Sequence, residues 1–221
     1  MSRPRLLDLF SGAGGAAVGY HRAGFDVVGV DHVAQPHYPF EFHLADAFEW
    51  DDFDGFDAIH ASPPCQAYSV ANNIHGRTDH PDLIAATREL LQASGLPYVI
   101  ENVPRAPLID PVTVCGLSLG LNVKRHRLFE TNFPVMVPPC HSNHAGDWLL
   151  VFGHTVLERG KRIGTTPNGG GIIRRKHVGT DRGRAAMGIG WMTRDELSEA
   201  IPPAYTELVG AQLIDQIRRA A

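Results

Sequence analysis

The chain has 221 residues, 43% of them hydrophobic, with 20 Lys and Arg against 24 Asp and Glu. That is enough for one α/β core and a small appendage, and too little for two large domains. No apolar run is long enough to span a bilayer, and the sequence turns strand-like within a few residues of Met1, which predicts no signal peptide. Three cysteines, few and odd in number, make no disulfide framework and predict a reducing, intracellular setting. The net charge of −4 does not suggest a polyanionic partner, but its distribution does. Residues 151–190 hold eight Lys and Arg against two acids, a local charge of +6 on an otherwise acidic chain.

In chain order, Arg5–Phe10 reads as a buried strand. The run Asp8-Leu9-Phe10-Ser11-Gly12-Ala13-Gly14-Gly15 follows from it and opens a helix at Ala16–Ala23. Glycines here permit a tight turn and close backbone approach to a ligand, whose polar groups meet unpaired helix N–H donors. Asp26–Asp31 is the second strand, and Asp31 stands 19 positions after Gly12, as suits a carboxylate gripping a ribose hydroxyl pair. Glu41–Ala45 is a third strand, followed by Asp46, placed to reach an adenine amine. Three strand ends thus converge on a nucleoside; turn glycines and a helix-capping Asp are the plainer reading.

The fourth strand, Phe56–Ala61, ends in Ala61-Ser62-Pro63-Pro64-Cys65-Gln66. Two prolines cannot continue a sheet ladder, so the chain leaves the sheet before Cys65. A thiol then follows the carboxyl end of a strand, where open α/β sheets keep their ligand crevice. Buried cysteines ordinarily behave as small hydrophobes, but the polar stretch Gln66–His80 suits a lid over an exposed nucleophile. A helix over Pro81–Ser94, stopped by Gly95, leads to the strand Tyr98–Asn102. Its Glu101 is a carboxylate at a buried strand terminus, costly unless paired or bound to a ligand. The basic run Lys124-Arg125-His126-Arg127 enters a sixth strand, Arg127–Asn132, with Arg125 and Arg127 expected on one face.

Residues 133–190 are rich in Pro, Gly, His and basic side chains and lack a helical period. Cys140, His141 and His144, with Cys115 or another histidine, have a spacing that permits a zinc site, but no paired motif fixes it. The default there is a polar loop and no metal. Helical patterns return at Thr193–Ala200 and Ala204–Ala220, on either side of Pro202-Pro203.

Together, Asp8–Gly15, Ser62–Gln66, Glu101-Asn102-Val103 and Arg125-His126-Arg127 resemble the cytosine-C5 DNA methyltransferase family in order and spacing. Pro-Pro-Cys-Gln with a downstream Glu-Asn-Val is the specific part; the glycine loop is not. The resemblance implies a Rossmann-like, S-adenosylmethionine-dependent methyltransferase fold. Residues 1–132 and 191–221 would form the catalytic domain, and 133–190 a small, irregular target-recognition insertion. It implies Cys65 as nucleophile, Glu101 as the group holding the target base, and Arg127 with Arg125 orienting it. Phe10, Ser11, Gly12, Ala13, Gly14, Asp31, His32, Asp46, Ala47 and Pro63 would line the methyl-donor pocket. Gln66, Ser69, Arg174, Arg175 and Lys176 would contact the nucleic acid, expected to be double-stranded DNA with the target base flipped out. The chain is short like the compact, phage-carried members; a cytoplasmic enzyme is expected, in the bacterial host's cytoplasm if phage-encoded, as a monomer with no obligate protein partner evident. It departs from the family pattern at Val123, where a Gln is usual, and at Ser198-Glu199, where Gly-Asn is expected.

Three other activities are compatible with such a fold. Amino-methyltransferases carry an aromatic residue after Pro-Pro, where this chain has Cys65. An RNA cytosine methyltransferase would share the nucleophile. A silent binding protein would not be expected to keep Cys65, Glu101, Arg127 and the cofactor aspartates together.

Overall fold

The computed structural model describes residues 2–64, 82–140, 144, 146–152, 155–158, 161–163, 172–174 and 176–220. Seven strands form one sheet: β1 (Arg5–Leu9), β2 (Asp26–Asp31), β3 (Glu41–Leu44), β4 (Ala58–Ala61), β5 (Tyr98–Asn102), β6 (Val112–Cys115) and β7 (His126–Thr131). Their spatial order is β3-β2-β1-β4-β5-β7-β6. The first five run parallel, and β7 is antiparallel to both β5 and β6.

Central strands of a sheet covered on both faces should be continuously apolar, and all of β1 after Arg5 is buried, as is all of β2 after Asp26. Alternate side chains sort to opposite faces. Leu6, Val27 and Val99 point into a core roofed by α1 (Gly15–Ala23) and α5 (Pro203–Ala220). Leu7, Leu9, Val28, Val30, Ile59 and Ile100 face the other way, where Leu91 of α2 (Ile84–Ser94) closes a second core. Glu130 of β7 fastens α2 to the sheet through both of its oxygens, at 2.6 and 2.8 Å from Arg88.

The chain order reverses between β1 and β4, which lie side by side with Leu9 opposite Ala61. At that switch point two loops leave the sheet from adjacent strand ends, and a crevice opens there by topology alone. The glycine loop follows β1 and the Ser62-Pro63-Pro64 segment follows β4.

Residues 133–190 are more regular than their composition predicts. They contain two hairpins, β8 (Leu149–Phe152) with β9 (Thr155–Glu158) and β10 (Lys161–Ile163) with β11 (Ile172–Arg174), followed by α3 (Thr180–Met187). The helix escapes a periodicity search because it is short and carries Gly183 at its middle. A Cβ there would stand 2.7 Å from Val156, so close packing on β9 excludes a larger residue. Val151, Val156, Ala186, Met187 and Ile189 form a third core with Val123, Met192 and Leu197, the last on α4 (Arg194–Glu199). The strand Val112–Cys115 was not expected either; it is a four-residue edge strand, too short for a period-2 signal.

α1 and α5 meet at a glycine contact. A Cβ on Gly19 would lie 2.0 Å from Thr206 Oγ1 and 2.1 Å from the Pro203 carbonyl oxygen. Thr206 Oγ1 itself donates to the Ala16 carbonyl at 2.8 Å. Gly19→Ala is therefore expected to destabilise the protein by about 2 kcal/mol or more through overpacking. Gly190→Ala, which meets nothing within 4 Å, should stay within about 0.5 kcal/mol of the parent. Urea unfolding midpoints of the two variants check this; equal midpoints would contradict the packing.

Candidate active site

The loop after β1 turns through three left-handed residues, Phe10 (φ 56), Gly12 (φ 49) and Gly14 (φ 82). Its glycines do different work. Cβ atoms on Gly14 and Gly15 would collide with Pro39 at 2.7 Å and the Ile201 carbonyl at 2.5 Å, whereas one on Gly12 would meet nothing within 4 Å. Gly14 and Gly15 thus serve packing, and Gly12 borders open space where a ligand can approach. Next to it, Ser11 Oγ is buried without a hydrogen-bond partner among the described residues, an orphaned polar atom of the kind a bound ligand satisfies.

Asp31, at the end of β2, accepts from Gly12 N at 3.0 Å and from Val33 N at 2.9 Å. Each carboxylate oxygen retains a second lone-pair direction for a ligand hydroxyl. His32 is exposed, with Nδ1 3.4 Å from Asp31. Asp46 caps the next turn by accepting from Phe48 N at 2.9 Å, and Ala47 is buried behind it. Phe48 meets Phe10 edge-on at 5.7 Å between centroids while remaining 37% exposed. It is an apolar wall the sequence reading missed, since a single aromatic after a turn has no periodic signal. Trp191 also escaped notice. Its indole N–H donates to the Ala13 carbonyl at 2.9 Å, tying the C-terminal segment to the glycine loop.

Across the switch point, Asn102 at the end of β5 donates to the Pro63 carbonyl at 2.9 Å and so fixes the start of the Pro-Pro turn. Glu101, one residue earlier, is 5% exposed. In the β5–β7 register it lies opposite Phe129, which sets Arg127 diagonally across on the same face. Arg127 Nε is 2.9 Å from Glu101 Oε1. The contact is an ion pair whose N–H is not aimed at the oxygen, for Oε1 has no hydrogen bond among the described residues. Burial pushes the Glu101 carboxyl up, and Arg127, Arg125 and a hydrogen bond from Ser62 partly oppose it.

Behind Ser62 runs a buried polar chain that the sequence did not disclose. Tyr20 Oη lies 2.9 Å from His60 Nδ1, and His60 Nε2 lies 2.8 Å from Ser62 Oγ. Burial drives His60 down to about 3, so the imidazole is neutral, with one donor and one acceptor nitrogen. Because Ser62 gives its proton to Glu101, His60 Nε2–H must donate to Ser62, and Nδ1 must accept from Tyr20. The chain therefore has one direction and ends on the Glu101 carboxylate.

Arg125 is placed differently from expectation. It is buried, and its guanidinium donates to the carbonyls of Val151 at 2.6 Å and Ser198 at 2.8 Å. It joins the third core to the C-terminal helices, close enough to Glu101 to be felt electrostatically. Val123 is fully buried in that core. Cys65, Gln66, Ser69 and Arg175 lie outside the described residues; Arg174 is described only as backbone of β11, and Lys176 is exposed.

The Glu101–Arg127 pair gives a pH-dependent prediction. Removing the cation in Arg127→Met raises the native carboxyl further above its unfolded value. The native state then binds more protons than the unfolded one over a wider window, and stability falls as pH rises through it. The variant should lie close to the parent below about pH 4 and lose about 2–4 kcal/mol at neutral pH, as for a broken buried pair. Urea titrations across pH measure this, and a pH-independent offset would refute it.

Residues 4–107 match the C-5 cytosine-specific DNA methylase family model. No curated protein sequence matches the chain. Among solved structures, the fold is similar to a prophage-encoded DNA modification methyltransferase of E. coli (14% identity, TM-score 0.61, 97% of this chain and 99% of that one). It is also similar to the Entamoeba histolytica methyltransferase EhMeth (12%, TM-score 0.66, 98% and 99%) and to the S. pombe Dnmt2 methyltransferase (13%, TM-score 0.59, 98% and 99%). At such identities the likeness establishes the shared fold. The family match carries the chemistry, because it runs through the loops of Gly12, Asp31, Ser62 and Glu101: residues 4–107 are similar to the C-5 cytosine-specific DNA methylase domain, which supports S-adenosylmethionine-dependent methylation of cytosine.

Proposed function

We propose that this enzyme methylates cytosine in double-stranded DNA through a covalent adduct between Cys65 and carbon 6 of a flipped-out base. The observation that carries the reading is the Asn102–Pro63 hydrogen bond. It ties the segment leading into Cys65 to the strand end that bears Glu101, so the family's nucleophile and carboxylate enter the site from adjacent points.

Carbon 5 of cytosine is a poor nucleophile, and addition of a thiolate to carbon 6 makes it enamine-like; covalent catalysis divides one hard step into two. Glu101 suits the partner role because its raised affinity for a proton lets it donate to ring nitrogen 3 while its other oxygen accepts from the exocyclic amine. Arg127, beside it, offsets the negative charge that the ring takes up as sulfur adds. Arg125 acts at one remove, by holding the surrounding segments in place. When bound, S-adenosylmethionine supplies an electrophilic methyl group. Ser11 and Gly12 would face its polar end, Asp31 its ribose, Asp46 its adenine amine, and Phe10 with Phe48 an apolar flank. After transfer, the carbon-5 hydrogen leaves as a proton and the thiolate is expelled, which restores the ring.

Residues 133–190 fit a target-recognition region: they form hairpins with a net positive stretch, next to the site but outside the sheet. Arg174 ends β11, and Arg175 and Lys176 follow it in sequence, as suits phosphate contacts that position DNA without reading it.

Incubation with S-adenosylmethionine and duplex DNA carrying 5-fluorocytosine tests the mechanism, since fluorine at carbon 5 cannot leave as a proton and traps the adduct. A denaturing gel should show a shifted band with the parent and none with Cys65→Ser. Glu101→Gln should slow methylation of ordinary DNA by about 10²–10⁴-fold. An adduct with transfer RNA but with no DNA would overturn the substrate assignment. Bisulfite sequencing of an expressing host then reads the recognition sequence.

A further inference from the structure

Far from Glu101 in chemistry but one residue from Arg127 in sequence, four soft ligand side chains converge. Cys115 ends β6, and His126 begins β7 directly opposite it in the antiparallel register. Cys140 and His144 come from the segment that leaves β7 for the insertion. One ligand atom from each of the four lies within 4.8 Å of all the others. Cys140 Sγ is 3.2 Å from His126 Nε2 and 3.1 Å from His144 Nε2, and Cys115 Sγ is 3.6 Å from His144 Nε2.

With metal–sulfur bonds of about 2.3 Å and metal–nitrogen bonds of about 2.0 Å, sulfur and nitrogen on a tetrahedron stand about 3.5 Å apart. The observed edges fall around that figure, and both imidazoles turn the same nitrogen, Nε2, toward the thiols. The cluster contains two thiols, two imidazoles and no carboxylate, a soft donor set that selects zinc over magnesium or calcium. Two thiolates also neutralise a divalent cation. We propose that Cys115, His126, Cys140 and His144 form a structural zinc site, closed by four protein ligands with no position left for substrate.

The surroundings fit a built site. His144 holds a left-handed backbone (φ 38), uncommon for a residue other than glycine and characteristic of positions fixed by a local demand. Its carbonyl accepts from the Trp148 indole at 2.8 Å, and the Lys124 ammonium lies 5.2 Å from the Trp148 ring centroid. Ser118 Oγ donates to the Pro139 carbonyl at 3.0 Å, so the residue before Cys140 is anchored as well. The spacing Cys140-x3-His144 was visible in the sequence, with Cys115 or another histidine to complete it. The structure makes His126 that histidine, brought to Cys115 by strand pairing. Zinc there would rivet the first turn of the insertion to the sheet edge, one residue before the arginine that pairs with Glu101.

Elemental analysis of the full-length protein, expressed with zinc and dialysed, tests the site. About one zinc per chain is expected in the parent and in Cys65→Ser, whose thiol belongs to the other site. Cys115→Ser/Cys140→Ser should lose it. Reconstitution with cobalt should give the strong visible absorption of a tetrahedral thiolate complex. A strong zinc chelator should lower the parent's melting temperature by about 5 °C or more, a measurement that needs no variant to fold. Substoichiometric zinc in the parent, unchanged zinc in the double variant, or a Cys115–Cys140 disulfide in the protein purified without reductant would each overturn the proposal.

Discussion

The organisation of this molecule turns on one buried carboxylate. Glu101 sits at the C-terminal end of a central strand, where burial alone would make its charge expensive. Three provisions lower that cost from three directions. Arg127 reaches it diagonally across the β5–β7 pair, Ser62 donates to it from the end of β4, and Arg125 adds charge from farther off. The first requires β7 to run antiparallel beside β5. A parallel neighbour would need a long crossover and would present the opposite strand end to Glu101. The reversed strand at this edge of the sheet is thus a condition of the site, since it brings a cation from the start of one strand to a carboxylate at the end of another.

The opposite side of the crevice depends on backbone more than on charge. Gly14 and Gly15 are small because Pro39 and the Ile201 carbonyl press on them, and only Gly12 is small toward open space. The C-terminal segment therefore shapes the glycine-loop side of the crevice. Ile201 closes on Gly15, Trp191 holds the Ala13 carbonyl, and α5 packs against α1 through Gly19. A change in the last fifth of the chain is mechanically connected to the first loop.

Most of the sheet was legible because its signal is local. β2 and β5 occur where apolar runs and turn residues put them, β1, β3, β4 and β7 are shifted or trimmed by a residue or two, and α4 (Arg194–Glu199) falls within the helical pattern at Thr193–Ala200. The pairing of Glu101 with Arg127 was not legible, since it depends on the register of strands 24 residues apart. Nor was the Tyr20–His60–Ser62 chain, whose members come from a helix, a strand and a loop and share no spacing. The insertion was misjudged for another reason. Gly183 and the arginines of α3 read as loop, yet packing on Val156 selects that glycine. Arg125 was expected on one strand face with Arg127, two positions on. It precedes the strand, and its guanidinium turns to the Val151 and Ser198 carbonyls instead.

That placement of Arg125 bears on the departure at Ser198-Glu199. In the family pattern an asparagine there helps join the recognition region to the catalytic body. Here the joint runs from the other side. Arg125, at the entrance of β7, grips the Val151 carbonyl in the first hairpin and the Ser198 carbonyl at the end of α4. A guanidinium offers five donors in a fixed plane and can bridge two carbonyls that belong to different segments. Because Arg125 bonds backbone carbonyls, this joint does not depend on which side chains stand at residues 198 and 199. The same short strand entrance then holds Arg125 for the insertion, His126 beside Cys115, and Arg127 for Glu101. Three consecutive residues thus link the insertion, the sheet edge and the buried carboxylate.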